Sequence, residues 1–347
     1  MKTQSLSRLE GLDLARCLAL VGMVLVNFRL AMGVESGQPT WLAQAFEALQ
    51  GRSAATFVVL AGMGFTMGTR HLEYSEAVKQ TIRRSIFLLT LGMLNCMVFP
   101  ADIIHYYGIY FLVGAALLSV GSRSLLFCGL SIILGFPLLS LLIDYSSGWN
   151  WTSLEYLDFW TINGFVRHLI FNGWHPVLPW VAFLLWGMFL ARTALQTTRV
   201  QVAMIVGGAT CAAIAHGLST LGITLWPSYK DFMGVTPLPP MPLYIFASAG
   251  IATALTGLCI VIMQRWGQFA SLRVLLPAGR MTLTLYIAHI LLGMGTLEAM
   301  GWLQGQGLVQ VAAAAATYCI LAIVFAWVWA KFFQQGPLEW LMRRLTR

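Results

Sequence analysis

Residues 12–32 read LDLARCLALVGMVLVNFRLAM, a run whose only charged or amide side chains are Asp13, Arg16, Asn27 and Arg29. As a helix rising about 1.5 Å per residue, it is long enough to cross a hydrocarbon core about 30 Å thick. Lys2 and Arg8 precede it, as they would in a signal peptide. The run is too long for one, carries Arg16 in its first turns and lacks a small-x-small cleavage site, so a retained first helix is expected. Nine more apolar runs follow, at about 54–70, 86–100, 103–120, 124–144, 176–191, 200–223, 243–264, 281–300 and 308–331.

The whole composition agrees with this reading. Of 347 residues, 58% are hydrophobic and 10% charged, which excludes an ordinary soluble domain. The expected fold class is all-α: a polytopic integral membrane bundle of about ten transmembrane helices forming a single transmembrane domain over residues 1–347. The net charge of +8 points to anionic lipid beside cytoplasmic loops, with no nucleic-acid partner implied. The six cysteines, Cys17, Cys96, Cys128, Cys211, Cys259 and Cys319, lie in or beside apolar runs without metal-ligand spacing, so neither a disulfide nor a metal is expected.

Orientation follows from the cations. With the N-terminus inside and ten crossings, 17 Lys and Arg fall inside: Lys2, Arg8, Arg16, Arg70, Lys79, Arg83, Arg84, Arg123, Arg192, Arg199, Arg265, Arg273, Arg280, Lys331, Arg343, Arg344 and Arg347. Arg29, Arg52, Arg167 and Lys230 fall outside. Missing or inventing one mid-chain helix would degrade that asymmetry, so both termini are expected in the cytoplasm of a bacterial-type inner membrane. The longer outer connections are 145–175, rich in Trp and Tyr and suited to the interface, and 224–242, where five prolines predict an extended cap. Either roofs a cavity or merely connects. The absence of an internal repeat disfavours inverted-repeat transporters.

Ionisable residues inside a bilayer cost several kcal/mol unless paired or wet, which makes them the candidates for chemistry. Asp13 and Arg16 are three apart and can pair; Arg16 and Asn27, eleven apart, share a face. A structural ion pair with an interhelical hydrogen bond, or a cofactor contact below a reacting centre, both fit. Asp102 and His105 open the fourth helix, where the carboxylate can hold one ring nitrogen and leave the other as a base. A helix cap with a satisfied histidine is the alternative. His175, before Pro176, sits at the outer mouth of the sixth helix; His168 reads as interfacial, and His216 as a hydrogen bond across a tight helix contact. Thr282, Tyr286 and His289 form one polar stripe on the ninth helix, and Tyr107 joins the polar interior. No Gly-x-Ser-x-Gly, Walker loop or dinucleotide fingerprint is present.

Several stretches resemble the YeiB-like membrane protein family, placed near the transmembrane acyltransferases typified by heparan-alpha-glucosaminide N-acetyltransferase. They are Arg8 to Arg16 with Gly22 to Asn27, Gly51-Arg52-Ser53-Ala54-Ala55-Thr56-Phe57 with Gly62 and Gly64, and Asp102 to Gly108. His175 to Trp180 through Gly187, Gly279 to Tyr286, and the closing Gly336-Pro337-Leu338-Glu339-Trp340 through Arg344 continue the match; the last is the most specific, in a C-terminal family block of about 200–347. The resemblance implies acyl transfer from cytoplasmic acetyl-CoA or another acyl-CoA to a hydroxyl or amine on an extracytoplasmic glycan, lipid or small molecule. The N-acetyltransferases of that group carry a histidine soon after the position of Asn27, whereas residues 28–52 here contain none.

The resulting expectation assigns His105 as base, Asp102 as its orienting group, and Asn27, Arg52 or His175 to the oxyanion. Arg16 and Arg280, with Arg83 and Arg84, are expected to meet coenzyme A phosphates. Membrane lipids are the other partners, and a homo-oligomer is left open. A transporter or lipid-handling protein without covalent chemistry, and a structural subunit, stay open beside it.

Overall fold

A computed structural model describes residues 9–33 and 40–346. Lys2, Arg8 and Arg347, which entered the charge count, lie outside the described residues. The regular structure of the described chain is helical apart from one hairpin of two two-residue strands, in the order α1 (Glu10–Met32), α2 (Thr40–Leu49), α3 (Arg52–Thr69), α4 (Tyr74–Cys96), α5 (Ile104–Ala116), α6 (Ser122–Leu142), β1 (Trp149–Asn150), β2 (Glu155–Tyr156) and α7 (Ile162–Arg167). There follow a π-helical turn (His168–Asn172), α8 (Val177–Leu190), α9 (Thr198–Leu225), a 3-10 turn (Pro227–Tyr229), α10 (Lys230–Met233), α11 (Pro242–Trp266), α12 (Ala270–Arg273), α13 (Leu276–Arg280) and α14 (Thr282–Ala288). A second π-helical turn (His289–Met294), α15 (Gly295–Ala299), α16 (Leu308–Trp329) and α17 (Pro337–Thr346) complete the order.

Among the described residues six helical segments are long and apolar enough to cross a membrane: α1, α6, α9, α11, Thr282–Ala299 and α16. The pair Ile162–Asn172 and Val177–Leu190, bent by 47°, is a seventh if it is one broken span. α3, α4 and α5 lie where further crossings were expected, but are too short or too polar to qualify alone. The outward faces are apolar, as in Phe127, Leu134, Leu138 and Leu141 of α6, because the solvent around such helices is hydrocarbon. The expected extended cap at 224–242 instead contains a 3-10 turn and α10, since only its later prolines, Pro237, Pro239 and Pro240, exclude helix.

The chain divides into two compact units. Unit 1 comprises the described residues up to 49 together with 195–207 and 253–340, and in it α1 packs against α13, α14 and α16. Gly279 sits against the carbonyl of Asp13 and Gly11 against the backbone of Ile260, so a Cβ at either position would collide with main chain. Unit 2 comprises residues 50–194, 208–252 and those from 341, and in it α3 packs on α8, α4 on α5 and α6 on α8. A reciprocal glycine pair seats α3 on α8: Gly62 faces the Leu184 carbonyl and Gly187 the Val59 carbonyl. Lipid supplies no hydrophobic drive for helix association, so such backbone approach and the dispersion contacts it allows carry the packing.

Candidate active site

The tight turn after α4 sets the main cluster of unit 2. Phe99 N donates to Asn95 O at 2.8 Å and Asp102 N to Phe99 O at 3.1 Å, bringing Asp102 to the start of α5, two residues before Ile104. Gly92 of α4 lies against the backbone of His105, where any Cβ would clash, so α4 approaches this turn closely. Asp102 Oδ2 accepts from His105 N at 3.2 Å and lies 3.1 Å from His105 Nδ1. Asn95 Nδ2 donates to the other carboxylate oxygen at 2.7 Å. The helix cap and the oriented imidazole, posed as alternatives from sequence, are thus made by one carboxylate. The carboxylate assigns the imidazole proton to Nδ1. His105 Nε2 is left with a lone pair, buried and without a hydrogen-bond partner. Asp102 and His105 are both 0% exposed.

Cys96 Sγ stands 3.2 Å from His105 Nδ1. The ligand-type atoms of Cys96, Asp102 and His105 lie within 4.8 Å of one another, a grouping that sequence spacing did not flag. Hydrogen bonding among themselves and with Asn95 already engages them.

The outer connection builds the wall of this cluster. His168, read from sequence as interfacial, is 1% exposed, with Nδ1 2.9 Å from Tyr106 Oη and its ring parallel to His105 at 6.2 Å. The cause is Asn172. Its Nδ2 donates to Tyr145 O and Ser147 O at 2.8 Å each, its Oδ1 accepts from Tyr156 Oη at 2.7 Å, and its carbonyl accepts from Trp149 Nε1 at 2.6 Å. That folds the aromatic hairpin inward over the π-helical turn starting at His168. Arg167 grips both oxygens of Asp158 at 2.7 Å and donates to Tyr156 Oη. Burial pushes the Tyr156 phenol up, against the lowering pull of Arg167.

His175 is half-buried; its carbonyl accepts from Tyr110 Oη at 2.5 Å, while its Nδ1 has no hydrogen-bond partner. Its ring meets Trp180 edge-on at 4.7 Å and Tyr106 at 5.9 Å. Of the tyrosines after His105, Tyr106 and Tyr110 are fully buried, whereas Tyr107 is half-buried against Tyr110 and Phe111. Arg52 is 8% exposed, with Nη2 3.3 Å from His216 Nε2 and 3.4 Å from Val235 O. His216 is therefore an exposed helix residue reached by an arginine. Arg83 is exposed and Arg84 half-buried near Arg343.

In unit 1, Asp13 receives Arg16 Nη1 at 3.0 Å, as the three-residue spacing predicts, and also Arg280 Nε at 3.1 Å. Glu10 lies 3.9 Å from Arg280. Near the end of α1, Asn27 Nδ2 is 3.0 Å from His289 Nε2. His289 Nδ1 donates to the Tyr286 carbonyl, which makes Nε2 the acceptor from Asn27. Both nitrogens of this buried ring are engaged, and Tyr286 packs on it at 4.8 Å. Glu339 of α17 accepts from Leu283 N, Thr284 N and Thr284 Oγ1, capping the first turn of α14, which leads to His289. Burial nevertheless pushes the Glu339 carboxyl up.

The catalytic family described as "Heparan-alpha-glucosaminide N-acetyltransferase, catalytic" matches residues 8–226, a span that contains Asp13, Arg16, Asn27, Arg52, Asp102, His105, His168 and His175. The chain belongs to that family. A second family, DUF418, described as a protein of unknown function, matches residues 185–347, which include Arg280, His289 and Glu339. "Uncharacterized protein YeiB" of Escherichia coli (strain K12) is 24% identical over 392 aligned residues, covering 96% of this chain and 95% of that one. The chain is thus YeiB-like and related to the N-acetyltransferase type, as its motifs indicated.

Proposed function

We propose that this protein is a membrane acyltransferase that moves an acyl group from cytoplasmic acyl-CoA to a hydroxyl or amine of an extracytoplasmic acceptor. The reading includes about ten crossings, cytoplasmic termini and residence in a bacterial-type inner membrane, and it draws support from the catalytic family and the cation asymmetry. The observation that carries it is His105: an imidazole with Nδ1 on a buried carboxylate and Nε2 buried and partnerless.

In this mechanism His105 Nε2 takes the acceptor's proton as its oxygen or nitrogen bonds to the acyl carbon. The thioester C–S bond breaks, and the proton passes from His105 to the coenzyme A thiolate. Asp102 holds the imidazole in one tautomer and stabilises its charged form. Arg52 or His175, in the same unit, supplies positive charge or a hydrogen bond to the oxyanion. Arg16 and Arg280, partly exposed at 24% and 34%, contact coenzyme A phosphates, assisted by Arg83 and Arg84. Asn27, engaged by His289, serves structure in this reading.

The test is acetyl-CoA and longer acyl-CoA binding to detergent-purified protein by calorimetry, with wild type against Arg16→Ala, followed by an acceptor screen. Saturable binding weakened by the substitution, and transfer lost in His105→Ala, are expected. A folded protein that binds no acyl-CoA would remove the reading in favour of transport or lipid handling.

A further inference from the structure

Unit 2 contains a second set of unsatisfied polar groups apart from His105. Tyr244 and Ser248, one turn apart on α11, are both 0% exposed and their hydroxyls face each other, with no further hydrogen-bond partner for either. Trp180, whose ring lies 5.9 Å from Tyr244, is also 0% exposed with a partnerless Nε1. A hydroxyl pair spends one proton internally and leaves one donor over; that donor and the Trp180 indole N–H, both buried, call for an oxygen-rich ligand.

The Tyr244 hydroxyl is also aimed at a particular place. A Cβ built on Gly51 would meet Tyr244 Oη at 2.5 Å and Pro237 Cβ at 2.7 Å. Gly51 is the residue before α3, turns at φ 72°, and offers no side-chain cap to the 18-residue helix behind it. Helix N-termini gather anions, because their amides point outward and the helix dipole favours negative charge. The first residue of α3 is Arg52, whose guanidinium lies against the proline-rich connection, with Nη2 3.4 Å from Val235 O.

We propose that the N-terminus of α3, with Tyr244 Oη, Ser248 Oγ and the Arg52 charge, is a binding site for a carboxylate or phosphate group. The Trp180 ring is in contact with two further rings, 5.9 Å from Tyr244 and 4.7 Å from His175. Assigning that anion to the acceptor, so that the substrate is an acidic molecule, rests on the acyltransferase reading. The anion site itself does not.

The experiment measures inorganic phosphate and acetate binding to the detergent-purified full chain by calorimetry, at constant ionic strength. Wild type is compared with Tyr244→Phe, which deletes the hydroxyl and keeps the ring, and with Arg52→Lys. Saturable binding is expected, weakened about tenfold or more in Tyr244→Phe. A competition arm separates two sources of the anion: displacement of phosphate by short-chain phosphatidylglycerol identifies a lipid headgroup, and displacement by soluble carboxylates alone identifies a soluble acceptor. No saturable binding, or equal binding in Tyr244→Phe and wild type, overturns the proposal. Phosphate binding without any acyl transfer would leave the site standing and remove the acyltransferase reading; acyl transfer without phosphate binding would do the reverse.

Discussion

His289 in unit 1 and His105 in unit 2 are both 0% exposed imidazoles set beside an amide or carboxylate from their surroundings. They differ in one atom. His289 spends both nitrogens, one on the Tyr286 carbonyl and one on Asn27, while His105 spends only Nδ1. A fully engaged buried ring holds helices together. A ring with one basic nitrogen left over is the form that proton transfer needs. The departure from the acyltransferase pattern after Asn27 has a physical counterpart here, since a histidine from a later helix meets the Asn27 amide.

The sharpest break between the two would come from activity. His105→Ala is expected to lower acyl transfer by about 10²–10⁴-fold with acyl-CoA binding unchanged, measured by turnover and calorimetry on the same preparation. If His289→Ala abolished transfer at unchanged melting temperature and His105→Ala did not, the assignment would invert. Next in size, Asn27→Ala or His289→Ala is expected to cost about 1–3 kcal/mol of stability by leaving a polar group unpaired, read from thermal unfolding in detergent, with turnover per folded molecule retained. Glu339→Ala removes the cap of α14 and is expected to cost about 1 kcal/mol, with Glu339→Gln milder.

The smallest effect is a pH dependence. Burial raises the Glu339 carboxyl, so the folded state holds its proton more tightly than the unfolded chain. That contribution is complete below the ordinary glutamate pKa of about 4.3 and is lost as pH rises through the folded value. Melting temperature should therefore decline over that window in wild type, and the decline should shrink in Glu339→Gln. A slope unchanged by the substitution would place its origin in other groups.

Much of the site was legible because its key contacts are local. Asp13 and Arg16 are a three-residue pair within a helix, and Asp102 stands three residues before His105 at a helix start, so spacing alone brings each pair together. His168 was misjudged because its burial depends on Asn172 folding the hairpin inward, a long-range network without a spacing signal. Tyr107, expected in the polar interior, is half-buried while its neighbour Tyr106 is fully buried: one residue along a helix turns the side chain about 100°, and only packing tells which of two adjacent tyrosines faces inward. Tyr244, Ser248 and Trp180 carried no signal: hydroxyl and indole groups in apolar runs look like ordinary membrane-helix composition until their lack of partners is seen.

From the sequence alone follow a helical membrane protein and its local pairs, because lipid forces each backbone to satisfy its own hydrogen bonds and helical geometry then fixes neighbours three and four residues away. Which distant groups meet was decided by tertiary structure. Asn27 and His289 are 262 positions apart, Arg52 and His216 are 164 apart, and Arg280 reaches Asp13 across 267. The last of these goes with Gly279, which lets its helix touch α1 at the Asp13 carbonyl, and a hydropathy profile does not record which helix lies against which.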